Sequence, residues 1–175
     1  NGYIEKLFSS LPDNVSVADG ALVIEGRKEQ VRCPNNGGID RDYSTGLVRT
    51  KGKFSQAYGR FEVRAKMPKG KGLWTGLWML SENYPYGDNG QSGEIDIVEH
   101  INSESTIYGT VHWENNGLTS AGSSIPAIAP VFHEYSMEWD STSIRIFIDG
   151  VQYHTHNITQ ANGSKDEFTK PFYLI

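Results

Sequence analysis

The sequence predicts an all-β domain, a sandwich or barrel of short antiparallel strands. Three observations carry that expectation. Asp-Gly pairs separate strand-like runs, one segment alternates polar and apolar residues almost without fault, and no stretch has a convincing helical amphipathic pattern. In chain order, Val15-Ser16-Val17 and the run from Ala21 to Glu25 flank Asp19-Gly20, a strong two-residue hairpin signal. From Gly59 to Lys66, Phe61, Val63 and Ala65 take one face and Arg60, Glu62, Arg64 and Lys66 the other, the mark of a half-buried antiparallel strand. Leu73 to Leu80 is an apolar run with Trp74, Gly76, Trp78 and Leu80 on one face. Strands are expected from Ile107 to Trp113, Tyr135 to Trp139 and Ile144 to Ile148, with Asp149-Gly150 turning the last into Val151 to His154. Ser164 to Phe168 has room for one helical turn. Pro171 to Ile175 reads as a strand that is still apolar where the chain stops, so truncation is expected.

The 175 residues make one domain's worth of chain, so a single domain over 1–175 is expected. The net charge of −5 argues against a nucleic-acid partner or a basic membrane patch. No apolar run approaches the ~20 residues of a membrane-spanning helix. Cys33 is the single cysteine, which excludes an intrachain disulfide and a cysteine metal cluster. Asn-x-Ser/Thr sites at Asn14, Asn157 and Asn162 lend weak support to secretion.

The chemistry concentrates in Gly93-Glu94-Ile95-Asp96-Ile97-Val98-Glu99-His100. Three carboxylates interrupt an otherwise apolar strand. Alternation places Glu94 and Asp96 on one face and sends Glu99, five residues after Glu94, to the other. A β-bulge after Asp96 would add one residue and return Glu99 to the first face. Glu94 and Glu99 would then act as residues four apart, with Cα atoms roughly 13 Å from each other. Two extended Glu side chains leaning together could close to the ~5–5.5 Å of a retaining glycosidase. In a helix the same pair would lie about 140° apart. Three crowded carboxylates cannot all ionise at neutral pH, and glycoside cleavage uses that asymmetry, with one group attacking and another still protonated. A solvated acidic strand face or a calcium site is the competing reading, although calcium favours loop ligands rich in Asn, Asp and carbonyl oxygens.

Trp74 and Trp78 suit an open groove in which indole faces stack on sugar rings, with core packing as the alternative. The polar face of Arg60, Glu62, Arg64 and Lys66 fits either a solvated exterior or a cleft floor. His112 and Trp113 point to opposite faces of their strand. The remaining histidines show no metal-ligand spacing; His154-x-His156 is a two-ligand pair without a third.

On these residues the chain resembles glycoside hydrolase family 16, in the form of its signature with an added residue before the last Glu. Tyr43 to Gly46, Thr50 to Phe54, Tyr58 to Glu62, Lys71 to Trp74 with Trp78 to Leu80, Tyr108 to Trp113 and Lys170 to Ile175 resemble laminarinase-type members in order and spacing. The resemblance implies a concanavalin-like β-jelly-roll sandwich of two antiparallel sheets with a long cleft. It implies retaining endo-hydrolysis of a β-1,3-glucan, with β-1,3-1,4-glucan as a further substrate. It implies Glu94 as nucleophile, Glu99 as acid/base and Asp96 as the carboxyl that assists the nucleophile. Glu62, Arg64, Trp74, Trp78, His112 and Asn1 would bind substrate. Lichenases and xyloglucan transferases resemble the shorter signature. Agarases and carrageenases share the longer one but differ around Thr110 to Trp113. Transglycosylation and a non-catalytic glucan-binding sandwich remain as alternatives; related binding proteins lack the carboxylates that are present here. Members usually carry further strands before Asn1 and after Ile175, and the family's calcium site draws on them. No metal and no cofactor is therefore expected within these residues. A secreted monomer acting on polysaccharide, with no nucleic-acid or membrane partner, is the overall expectation.

Overall fold

The computed structural model describes residues 14–33, 39–83, 90–127 and 129–175, and the regular elements among them are thirteen β-strands with no α-helix. The chain groups into two compact units that divide between Arg49 and Thr50. In the first unit, β1 (Val15–Ala18) and β2 (Ala21–Ile24) form an antiparallel hairpin. Its turn residues Asp19 and Gly20 take φ of 51° and 75°, the left-handed pair that a type I′ turn requires. A second ribbon joins β3 (Arg27–Cys33) to β4 (Ile39–Ser44). The buried Asn14 side chain donates to the Glu25 carbonyl at 3.0 Å and to Ser44 Oγ at 2.9 Å. An amide held in this way cannot carry a glycan, so Asn14 drops out of the secretion argument.

The second unit is a sandwich of two antiparallel sheets. Its strands are β5 (Gly59–Lys66), β6 (Trp74–Ser81), β7 (Glu94–Ile101), β8 (Thr106–Glu114), β9 (Leu118–Pro126), β10 (Phe132–Trp139), β11 (Ser143–Ile148), β12 (Val151–Asn157) and β13 (Phe172–Leu174). One sheet runs β12-β11-β10-β5 and the other β13-β6-β7-β8-β9. Between them lies the core. Met79, Ile95, Val98 and Val111 come from one sheet and Met137, Ile144 and Ile146 from the other, all fully buried. Each such side chain contributes about 1.5–3 kcal/mol on leaving water. Rings close the gap: Trp139 meets Phe172 edge-on at 5.3 Å, and Trp113 lies 4.6 Å from His156.

The predicted strands are present, and Asp149-Gly150 forms the second left-handed turn, with φ of 49° and 77°. At 164–168 the Phe168 amide donates to the Ser164 carbonyl at 3.2 Å, a single helical turn. In β8 alternation is strict: Ile107, Gly109, Val111 and Trp113 are buried, while Tyr108, Thr110, His112 and Glu114 line the open face of the five-stranded sheet.

Candidate active site

Strand β7 begins at a backbone position that needs glycine. Gly93 has φ of 90°, and a Cβ there would lie 2.6 Å from Phe172 Cζ and 3.2 Å from Phe168 Cε1. From that start the ladder sets three carboxylates on the open face. Across β8, Glu94 pairs with His112, Asp96 with Thr110 and Glu99 with Tyr108. Across β6, Glu94 pairs with Leu80, Asp96 with Trp78 and Glu99 with Gly76. Both ladders slip between Asp96 and Glu99. Ile97 and Val98 fill the room of one residue and are both buried. The bulge expected from the spacing is there, and it turns Glu99 to the side of Glu94.

The carboxylates receive unlike surroundings. Asp96 is buried, hydrogen-bonds to Glu94 and lies 3.2 Å from His112 Nε2. Burial, followed by the charge of Asp96, pushes the Glu94 carboxyl up to about 7, and the His112 charge opposes that rise. The hydrogen bond to Asp96 raises His112 above the ordinary imidazole value. Donor atoms of Glu94, Asp96 and His112 lie within 4.8 Å of one another, close enough to share a cation and equally close to share a proton. Glu99 lies outside this group of three, although its charge also raises Glu94 and His112. Its Oε1 accepts from Trp74 Nε1 at 2.6 Å, while Trp74 as a residue remains 47% exposed. Half-buried Trp78 lies on the same face, two positions beyond Gly76. One chain segment thus presents a proton-sharing pair and a separate carboxyl beside an open aromatic surface.

The profile of the glycosyl hydrolases family 16 matches residues 8–174. The chain belongs to that family. It is 38% identical over 176 residues to a β-glucanase of Rhodothermus marinus, a match that covers 93% of this chain and 59% of the relative, so it spans little more than half of that protein's length. It is 37% identical over 139 residues to a keratan-sulfate endo-1,4-β-galactosidase of Sphingobacterium multivorum, covering 76% of this chain and 33% of the relative. The structure is similar to the catalytic domain of an endo-1,3-β-glucanase (laminarinase) from Thermotoga petrophila, with a TM-score of 0.80 and 37% identity over 93% of this chain and 67% of that one. The sandwich is accordingly of the jelly-roll type.

In this family 16 chain, Glu94, Asp96, Glu99, Trp74, Trp78 and His112 share one face. His112 lies against Asp96, which ties it to the carboxylates. Glu62 and Arg64 are corrections. They lie on β5, in the other sheet, on the face opposite Phe61 and Ala65, which pack on the core. Glu62 accepts from Arg60 at 2.8 Å, Arg60 also reaches Glu134 and Glu138, and the Arg64 guanidinium lies 4.1 Å over Phe132. With the core between the sheets, neither residue reaches the carboxylate face. Asn1 lies outside the described residues. Sequence reasoning passed over Tyr108, which stands beside Glu99 and donates to Glu104 at 2.7 Å, and Tyr153, whose hydroxyl meets the bulge itself. Tyr-x-Thr-x-His across from the signature was the available signal for Tyr108; nothing in the sequence pointed to Tyr153.

Proposed function

We propose that this chain is the catalytic part of a retaining endo-β-1,3-glucanase that acts on laminarin-like chains and also on β-1,3-1,4-glucan. The observation that carries the reading is the bulge, which sets Glu94, Asp96 and Glu99 on one open face beside Trp74. In this mechanism Glu94 attacks the anomeric carbon while Glu99 gives its proton to the leaving glycosidic oxygen. Water then opens the glucosyl–Glu94 ester, with Glu99 taking a proton from it. Asp96 shares the proton of the Glu94 pair, and the His112 charge favours the anionic form that attacks. Two carboxyls and water complete the chemistry without a metal or cofactor. A polymeric substrate fits a protein released outside the cell and working as a monomer, and Asn157 is exposed for a glycan.

A galactan substrate is the second reading, favoured by the identity to the keratan-sulfate endo-1,4-β-galactosidase. The test is the product profile on laminarin, lichenan, agarose, carrageenan and keratan sulfate. Laminarin should yield oligosaccharides whose first-formed reducing ends are β, read by NMR. Glu94→Gln should lower that hydrolysis roughly 1,000-fold or more while leaving laminarin binding measurable. Products from the galactans alone would transfer the assignment to the second reading, and α-configured first products would sink the retaining mechanism. Oligosaccharides longer than hydrolysis can give would mark transglycosylation. Binding with no product from any polymer would leave a lectin-like sandwich.

A further inference from the structure

Two bulges face each other across the core of the sandwich. In β7, Ile97 and Val98 together stand opposite Gly109, because Asp96 pairs with Thr110 and Glu99 with Tyr108. In β12, the ladder to β11 steps from His154↔Ile146 to Gln152↔Phe147 and leaves Tyr153 as the extra residue. A bulge re-aims the side chain it releases. Here it packs Tyr153 against the core next to His154, which also points inward. The Tyr153 hydroxyl crosses between the sheets and donates to the Ile97 carbonyl oxygen at 2.5 Å. That carbonyl belongs to the peptide linking Ile97 to Val98, the middle of the β7 bulge.

Gly109 supplies the space. A Cβ at that position would lie 2.8 Å from Tyr153 Cε2 and 2.9 Å from its hydroxyl. The one residue opposite the β7 bulge is therefore the one whose missing side chain admits the ring that caps it. Burial holds the phenol protonated far above its ordinary range, so the donor is constant wherever the protein is folded. A buried Tyr hydroxyl normally finds some acceptor. What distinguishes this one is the acceptor it takes, two residues before Glu99.

We propose that Tyr153 is a positioning residue: its hydrogen bond to the Ile97 carbonyl holds the β7 bulge in the shape that carries Glu99 to the side of Glu94 and sets the separation of the two carboxyls. The catalytic meaning of that separation rests on the proposed function. Tyr153→Phe keeps the ring and removes the bond. In the whole protein that carries this chain, it should lower kcat about tenfold with KM within about twofold of the parent, since a hydrogen bond of this kind is lost only in the placement of Glu99. Exchange of the Val98 and Glu99 amide protons should quicken about tenfold. Gly109→Ala reaches the same bond from the opposite strand and should move both readings in the same direction. Ile146→Val, a core truncation on β11, is the control that lowers Tm without moving kcat or that exchange.

Wild-type kcat in Tyr153→Phe overturns the proposal, and so does wild-type exchange at Val98 and Glu99. A loss of kcat that Ile146→Val reproduces at equal Tm overturns it too, since a general loosening would then suffice. A parent protein that cleaves none of the polysaccharides overturns the proposed function instead; the exchange measurement then decides by itself whether Tyr153 holds the bulge.

Discussion

Glu94 and Glu99 carry the same side chain and meet opposite surroundings. Glu94 is half-buried against Asp96, and its proton is lost only near pH 7; Glu99 sits against the edge of an exposed indole. His112 sets the balance at the first of them. Its charge favours ionised Glu94, so removing it should raise the Glu94 pKa further. Because the attacking group must be anionic, the acid limb of kcat/KM in His112→Gln should move to higher pH, by about one unit. An acid limb that stays where the parent has it would show that His112 carries no charge felt at Glu94. The three acidic residues were legible in the sequence because they are neighbours along one strand. The partner of Asp96 was not, since it depends on the register that sets Glu94 opposite His112 on β8. Counting residues along the chain gives no such register.

At the scale of the strand, β7 is the element that local counting reads best. A step of five positions between two Glu that must share a face is odd, and a bulge is the ordinary way to absorb it. The β5 alternation was equally plain, and its face assignment was correct, yet alternation does not say which sheet a strand joins. Glu62 and Arg64 were misplaced for that reason. Strand β9, Leu118–Pro126, escaped notice because Ser and Gly are poor strand formers; it exists through its nine-residue ladder to β8. The start of β7 is more demanding than its pattern suggests. At Gly93 an added Cβ meets both the left-handed backbone and the Phe172 and Phe168 rings. Gly93→Ala should cost roughly 2–5 kcal/mol, from about 1–3 of backbone strain and a similar overpacking term. Urea melts of the variant would check it, and a loss under about 1 kcal/mol, the scale of an ordinary surface substitution, would mean that the rings yield easily.

For the whole molecule, a buried histidine and the half-buried Glu94 pull the pH dependence of stability in opposite directions. His156 lies in the core between Trp113 and Phe168, and burial pushes it from 6.5 down to about 4, with the neighbouring His154 adding to the effect. Between those values the unfolded chain takes up a proton that the fold refuses, so this contribution is intact above about pH 6.5 and is lost toward pH 4. The span is worth about 3 kcal/mol. Glu94 runs the other way. Its folded value of about 7 exceeds the ordinary 4.5, so the fold gains a proton first and stability rises as pH falls through that window. Between pH 6.5 and 4.5 the two slopes oppose each other, and the parent protein should show a shallow profile. Removing one group should expose the other. In Glu94→Gln, stability from urea melts should fall steadily as pH is lowered from 6.5 to 4.5. In His156→Leu it should rise over the same range, whatever the offset from the lost ring contacts. Slopes of the same sign in both variants would remove one of the two groups from this account, and the variant whose slope matches the parent's identifies which.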